Sequence, residues 1–125
     1  MSLGDVQAVQ RAYEAFNRRD FGALDELIAA DVEWHQLTVF PDRATYHGIE
    51  ELKERFISTQ LIEQFEDFEI ATDEFIDADD WVVAIGTVSG HGGSSGLEFS
   101  MRFVHLLEMR DGKVVRAYDV AGRPV

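Results

Sequence analysis

The chain contains no cysteine, which excludes disulfides, thiolate metal sites and a cysteine nucleophile. Basic residues are also few, since 11 lysines and arginines stand against 24 acids, and residues 56–101 carry no base at all. With a net charge of −13, the surface should repel phosphate backbones and anionic membranes, so we expect neither as a partner. No apolar run approaches the roughly 20 residues of a transmembrane helix, and the first residues lack the pattern of a secretory signal.

The rest of the composition is that of a globular protein, with 46% hydrophobic and 11% aromatic residues among 125 positions. This length suits one domain with its own core, which we predict to cover residues 1–125. The lack of cysteine fits a reducing compartment, so a cytoplasmic location is expected.

The first half of the chain has the periodicity of helices. A second helix would begin after Asp20, which can cap it, and would end near Ile28. A third would follow Gly48, after a strand over residues 32–37 and a loop over residues 38–47. The stripe that predicts the first helix consists of Val6, Val9, Tyr13 and Phe16.

The second half has the period of strands, with two turn signals. Asp111-Gly112 predicts a tight hairpin, and the glycine-rich residues 90–96 predict a flexible one. The fold class is therefore α+β, with three N-terminal helices packed on a curved, mostly antiparallel sheet that encloses a pocket. The strands are expected over residues 68–72, 81–89, 97–109 and 113–120.

Alternation along the last strands predicts which side chains face the pocket. Ala117 and Asp119 would face inward, with Tyr118 opposite. On the neighbouring strand, Arg102 and Val104 would also face inward. The residues expected to face outward on that strand are Phe103, His105, Leu107 and Met109.

Four segments follow one another along the chain in a recognisable order: YEAFNRRDF (13–21), DVEW (31–34), YHGIEEL (46–52) and RDGKVVRAYD (110–119). Together they resemble the NTF2-like superfamily and, within it, SnoaL-like proteins related to ketosteroid isomerase. The resemblance implies a cone-shaped α+β fold, a small apolar or aromatic ligand in the pocket, and no cofactor. It also implies a homodimer formed through the sheet face, where His105 would lie.

The ketosteroid isomerase template itself does not match. That enzyme uses a carboxylate base, a tyrosine and a protonated aspartic acid. At the matching positions this chain has Gln36, Ala12 and Val104. Ketosteroid isomerisation is therefore not expected.

The polyketide-cyclase branch of the family offers a better candidate, because its last strand resembles Tyr118-Asp119 here. The resemblance makes Asp119 the candidate acid and base, and a carboxylate in a partly apolar cavity is suited to proton transfer. Arg102 would pair with it or hold an anionic ligand, and His35 is a further candidate base. A structural ion pair of Asp119 with Arg102 or Arg116 is the alternative.

These residues suggest a cofactor-independent isomerase or cyclase that moves a proton beside a carbonyl group, with Tyr46 or Gln36 as a carbonyl donor. Dehydratase or hydrolase chemistry is possible on the same scaffold. A non-catalytic ligand-binding or scaffold module, or a protein-interaction module, is the alternative. No metal is expected, because the histidines lack ligand spacing. The candidate ligand-lining residues are Tyr13, Phe16, Trp34, Gln36, Tyr46, Phe56 and Val104.

Overall fold

Six strands form one curved, open sheet, and a long N-terminal helix packs against its inner face. The computed structural model describes residues 3–37, 44–55, 57, 65–92, 96 and 98–124. The strand order is β2-β1-β6-β5-β4-β3, in which only the β1–β6 pair is parallel. The elements are α1 (Leu3–Asn17), α2 (Leu24–Leu27), β1 (Ile28–Gln36), β2 (Ala44–His47), α3 (Ile49–Glu51), β3 (Phe65–Ala78), β4 (Trp81–Gly92), β5 (Glu98–Arg110) and β6 (Lys113–Pro124).

Helix α1 confirms the predicted apolar stripe. Val9 and Phe16 are buried against the sheet, and Tyr13 packs against the same core. Residues on the opposite side of the helix, such as Gln10 and Glu14, are exposed. The 3.6-residue period therefore gives this helix one core-facing side.

The prediction of three full N-terminal helices is wrong, because α2 and α3 are short. Ile28 leaves α2 and enters β1, where it lies opposite Val114 of the parallel strand β6. Pairing within the sheet thus overrides the local helical pattern. Residues 52–55 continue α3 as a wider helical turn. None of the described helices is long and apolar enough to span a membrane.

Two predicted connections contain strand. Ala44–His47 forms β2 and pairs with the end of β1, within the stretch that the sequence suggested as a loop. Residues 38–43 of that stretch lie outside the described residues. The predicted flexible hairpin is shorter as well, because β4 continues to Gly92 and His91 pairs with Glu98.

The inner and outer faces of β5 are the reverse of those predicted. An uninterrupted ladder from the Arg110–Lys113 pair would place Leu106 opposite Ala117. The observed ladder contains one extra residue of β6 between Val114 and Arg116, so that Leu107 lies opposite Ala117. A one-residue shift turns every side chain to the other face. The residues that consequently lie inside are Phe103, His105, Leu107 and Met109, all buried.

Asn17 at the end of α1 closes the contact between the helix and β3. Its amide nitrogen donates to the Ile70 carbonyl at 2.8 Å, and its amide oxygen accepts from the Ile70 N–H at 2.9 Å. We expect Asn17→Ala to lower the free energy of unfolding by about 1–3 kcal/mol, because both backbone groups lose their partner. Urea denaturation measures the loss. Gln10→Ala, on the exposed side of α1, should change stability by under about 0.5 kcal/mol.

Candidate ligand cavity and its polar end

A cavity of about 110 Å³ lies between α1 and the inner face of the sheet. Most of its wall is apolar. Phe16 and Val9 contribute from α1, and Phe103 and Leu107 contribute from β5. The other apolar side chains of the wall include Leu24, Ile28, Ile57, Phe68, Ile70 and Val88.

The polar groups of the cavity gather around Asp119. Gln36 Nε2 donates to Asp119 Oδ2 at 2.9 Å, and His105 Nε2 lies 3.3 Å from the same oxygen. The Asp119 side chain is only 13% exposed. Its other oxygen, Oδ1, is buried and has no hydrogen-bond partner in the described part of the chain. One carboxylate oxygen is therefore held in place while the other has an unused capacity to accept a hydrogen bond.

The sheet brings these three residues together from three strands. Gln36 lies opposite Asp119 in the parallel β1–β6 pair, and His105 lies opposite it in the β5–β6 pair. Trp34, two residues before Gln36, points to the same face and donates its indole N–H to Gln36 Oε1 at 3.0 Å. The carboxylate thus sits at the centre of a network anchored in the sheet backbone.

Tyr13 extends the network from α1. Its hydroxyl lies 2.6 Å from His105 Nδ1. Burial, and secondly the negative charge of Asp119, raise the pKa of Tyr13 well above its usual value. The raised pKa keeps the Tyr13 hydroxyl protonated, and this hydroxyl shares a hydrogen bond with Nδ1 on one side of the His105 ring while Nε2 faces Asp119 on the other.

Several predicted ligand-lining residues do line this cavity, and others do not. Tyr46 is buried in the core beside the Arg55 guanidinium and does not border the cavity. Val104 lies on the outer face because of the shifted β5 ladder. Phe56 lies outside the described residues. The predicted residues that border the cavity are Tyr13, Phe16, Trp34, Gln36 and Asp119.

The predicted pairing of Arg102 with Asp119 is wrong. Arg102 borders the cavity, but its guanidinium group bonds to Asp73 and to Thr87 Oγ1. Its side chain is 42% exposed. The inverted face of β5 explains this placement, and Arg102 cannot serve as the electrostatic partner of Asp119 from there.

Of these two histidines, His105 borders the cavity and His35 does not. His35 lies on the outer face, stacked on Tyr118 with ring centroids 4.6 Å apart, and bonds to Glu33 at 2.7 Å. It therefore lies away from the cavity, as its alternation with Trp34 suggests. His105, predicted at a dimer interface, is the histidine that touches Asp119.

A second, open groove lies at the end of β3, β4 and β5, where His91 bridges two acids. Its Nδ1 is 2.7 Å from Asp67 and its Nε2 is 3.1 Å from Glu98. The hydrogen bond to Asp67 is the main cause that raises the pKa of His91 above its usual value, and the negative charges of Asp67 and Glu98 add to this effect. No set of three metal-binding side chains is found among the described residues, here or elsewhere.

Because the pKa of His91 is raised in the folded state, the contribution of His91 to the stability of the protein should depend on pH. The protonated form is favoured in the folded state, so its contribution is complete below the unfolded pKa of about 6.5 and is lost as pH rises through the folded pKa. We expect His91→Gln to be less stable than the natural protein near about pH 5.5 and equally stable near about pH 9. Thermal unfolding at both pH values measures this, and added salt should shrink the difference. A constant difference would contradict the assignment.

Comparisons with known proteins agree with this fold. The sequence profile of the SnoaL-like domain matches residues 9–117. No curated protein sequence matches the chain. Solved structures do match it, and three illustrate the range.

An NTF2-like protein of unknown function from Burkholderia pseudomallei is 29% identical, with a TM-score of 0.83 over 97% of this chain and 92% of that one. TerC, co-crystallised with polyporic acid, is 27% identical, with a TM-score of 0.82 over 94% and 91%. IdmH, a proposed polyketide cyclase from Streptomyces antibioticus, is 21% identical, with a TM-score of 0.77 over 94% and 91%. The last comparison establishes the fold alone.

Proposed function

The chain belongs to the SnoaL-like domain family, and on that premise we propose that it binds a small, mostly apolar molecule and moves a proton beside a carbonyl group of it. Asp119 Oδ1 carries the proposal, since it is a buried carboxylate oxygen without a partner in the described part of the chain, on a residue that borders an apolar cavity. TerC, a 27% identical relative crystallised with polyporic acid, supports a small molecule as the ligand.

The proposed reaction needs no group beyond the chain and its substrate. Asp119 Oδ1 takes a proton from the carbon next to the carbonyl, and the C–H electron pair moves into a new C=C bond as the carbonyl oxygen becomes negative. The protonated carboxyl then returns a proton to the same carbon and the ketone re-forms, or, where a second C=C bond is conjugated with the new one, returns it to the far end of that bond. Gln36 and His105 hold Oδ2 throughout, so the oxygen that moves the proton keeps one orientation.

Proton exchange in heavy water tests this proposal. The protein is incubated with small neutral aryl ketones, and NMR follows the loss of the α-proton signals. We expect exchange faster than in buffer with an equal amount of an unrelated acidic protein. Exchange at the buffer rate, together with ketone binding, would favour the alternative, a non-catalytic binding module, which the small volume of the cavity also supports.

We further propose that two copies associate through the outer face of the sheet, in a cytoplasmic homodimer. The outer face carries half-buried aliphatic side chains in adjacent positions. Val83 lies opposite Leu106, which lies opposite Tyr118, and Ile85 lies opposite Val104. Such a contiguous apolar patch is typical of a protein interface.

Sedimentation velocity at micromolar concentration tests the dimer. The natural protein should sediment as a dimer, and Leu106→Glu should sediment as a folded monomer. Gln10→Glu is the matched control, because Gln10 is exposed on the side of α1 that faces away from the sheet. A natural protein that sediments as a monomer would contradict this part of the proposal.

A further inference from the structure

The charge at the polar end of the cavity restricts which ligands it can hold. Asp119 places a negative charge there, the Gln36 amide donates to it, and His105 Nε2 lies 3.3 Å from the same oxygen. Arg102 is the one lysine or arginine among the described residues that border the cavity, and its guanidinium is bound to Asp73. An anionic ligand would therefore enter beside the charge of Asp119 with no unpaired lysine or arginine among those residues to offset it.

The raised pKa of Tyr13 indicates that this site disfavours a second negative charge. Its hydroxyl lies inside the network, and formation of the phenolate there is opposed first by burial and then by the charge of Asp119. A ligand carboxylate placed beside Asp119 Oδ1 would meet the same two effects. A neutral hydroxyl or an acidic C–H, by contrast, could donate to that oxygen.

We propose that this cavity selects uncharged ligands that present a hydrogen-bond donor to Asp119 Oδ1, and that it rejects carboxylates of the same shape. This inference rests on the proposed function only in taking the cavity as the ligand site. The volume of about 110 Å³ sets the scale of the buried part. An engineered apolar cavity of about 150 Å³ in another protein holds benzene, so one six-membered ring is the size to test.

The chain provides its own reporter for the experiment. It has two tryptophans. Trp34 borders the cavity with its indole N–H bonded to Gln36, whereas Trp81 stacks on Tyr118 on the outer face. A ligand in the cavity should shift the indole N–H signal of Trp34 in a nitrogen–proton NMR spectrum and leave that of Trp81 unchanged.

Benzyl alcohol and benzoate are the matched probes, titrated separately into the natural protein. We expect the alcohol to bind at least about tenfold more tightly than the carboxylate, because close like charges repel strongly where water is scarce. Asp119→Asn removes the charge with little change of shape, and should bring the two affinities within about threefold. Asp67→Asn is the control, since its carboxylate binds His91 in the open groove away from the cavity, and it should keep the natural preference.

Any one of three results would overturn the inference. The natural protein could bind both probes equally well, Asp119→Asn could leave the preference unchanged, or neither probe could shift the Trp34 signal. The comparison in the natural protein stands even if a variant folds poorly. A clear preference for the alcohol without any ketone exchange would refute the proton transfer and leave the ligand selection intact, so the two proposals can fail separately.

Discussion

Asp119→Asn is expected to slow protein-catalysed proton exchange of a ketone by about 10²–10⁴-fold, the usual contribution of a positioned general base. An amide of the same shape can still accept a hydrogen bond from Gln36, but it cannot take the proton. Because Oδ1 makes no hydrogen bond in the described structure, the fold should lose little when that oxygen is replaced. The loss should therefore appear in the rate and not in the unfolding transition.

Heavy-water exchange followed by NMR, with the same ketone for every variant, measures this effect. Asp67→Asn is the matched control, because Asp67 is an exposed carboxylate bound to His91 in the open groove, away from the cavity. That variant should keep the natural rate within about twofold, since it leaves the general base in place. Exchange that survives Asp119→Asn would mean that another group is the base, and exchange that both substitutions abolish would point to a loss of fold.

Alternation was informative wherever a strand runs without interruption. In β1 it places Trp34 and Gln36 on one side and His35 on the other, and the structure has this arrangement. In β6 it places Asp119 inside and Tyr118 outside, again as observed. The apolar stripe of α1 likewise predicted which side of this helix faces the core. The position of Asp119 and part of the cavity wall, namely Tyr13, Phe16, Trp34 and Gln36, could therefore be predicted from sequence.

Strand β5 could not be oriented in this way, for two physical reasons. Both of its faces are apolar, with Val104 and Leu106 on one side and Phe103 and Leu107 on the other, so hydrophobicity does not distinguish them. The face is then fixed by pairing with β6, where one extra residue between Val114 and Arg116 shifts the ladder. No proline or glycine marks that bulge in the sequence. His105 was misplaced for this reason.

The short helices show a different limit. The residues around Leu24–Leu27 have a helical stripe, yet the chain turns into β1 at Ile28 because β6 supplies a partner strand. Such a partner lies nearly 90 residues away and leaves no trace in the local pattern. Tertiary pairing decided what local propensity left open.

His105→Leu should be among the most destabilising substitutions in the chain, since His105 joins two buried groups. Leucine removes the hydrogen-bond partner of the Tyr13 hydroxyl and one of two polar contacts of Asp119 Oδ2, which keeps its bond to Gln36. The orphaned hydroxyl costs about 1–3 kcal/mol and the lost contact with a charged group costs about as much, so we expect a loss of about 2–5 kcal/mol in the free energy of unfolding. Urea denaturation measures it, with circular dichroism to verify the folded baseline.

A double-mutant cycle separates the network from simple loss of packing. Tyr13→Phe alone should cost about 1–3 kcal/mol, because it leaves His105 Nδ1 without its hydrogen-bond partner. In the His105→Leu background the same substitution should cost much less, or should stabilise, since the hydroxyl that it removes has already lost its partner. The coupling should fall within about 0.5–3 kcal/mol, the range for residues that share one network.

His91→Gln provides the control for that cycle, because His91 bonds to Asp67 and Glu98 in the open groove and shares no partner with Tyr13. The losses in free energy of unfolding caused by His91→Gln and by Tyr13→Phe should therefore add in the double variant. Additive losses for Tyr13 and His105 would instead mean that their 2.6 Å contact carries no net stability. His105 would then be held beside Asp119 without help from the Tyr13 hydroxyl.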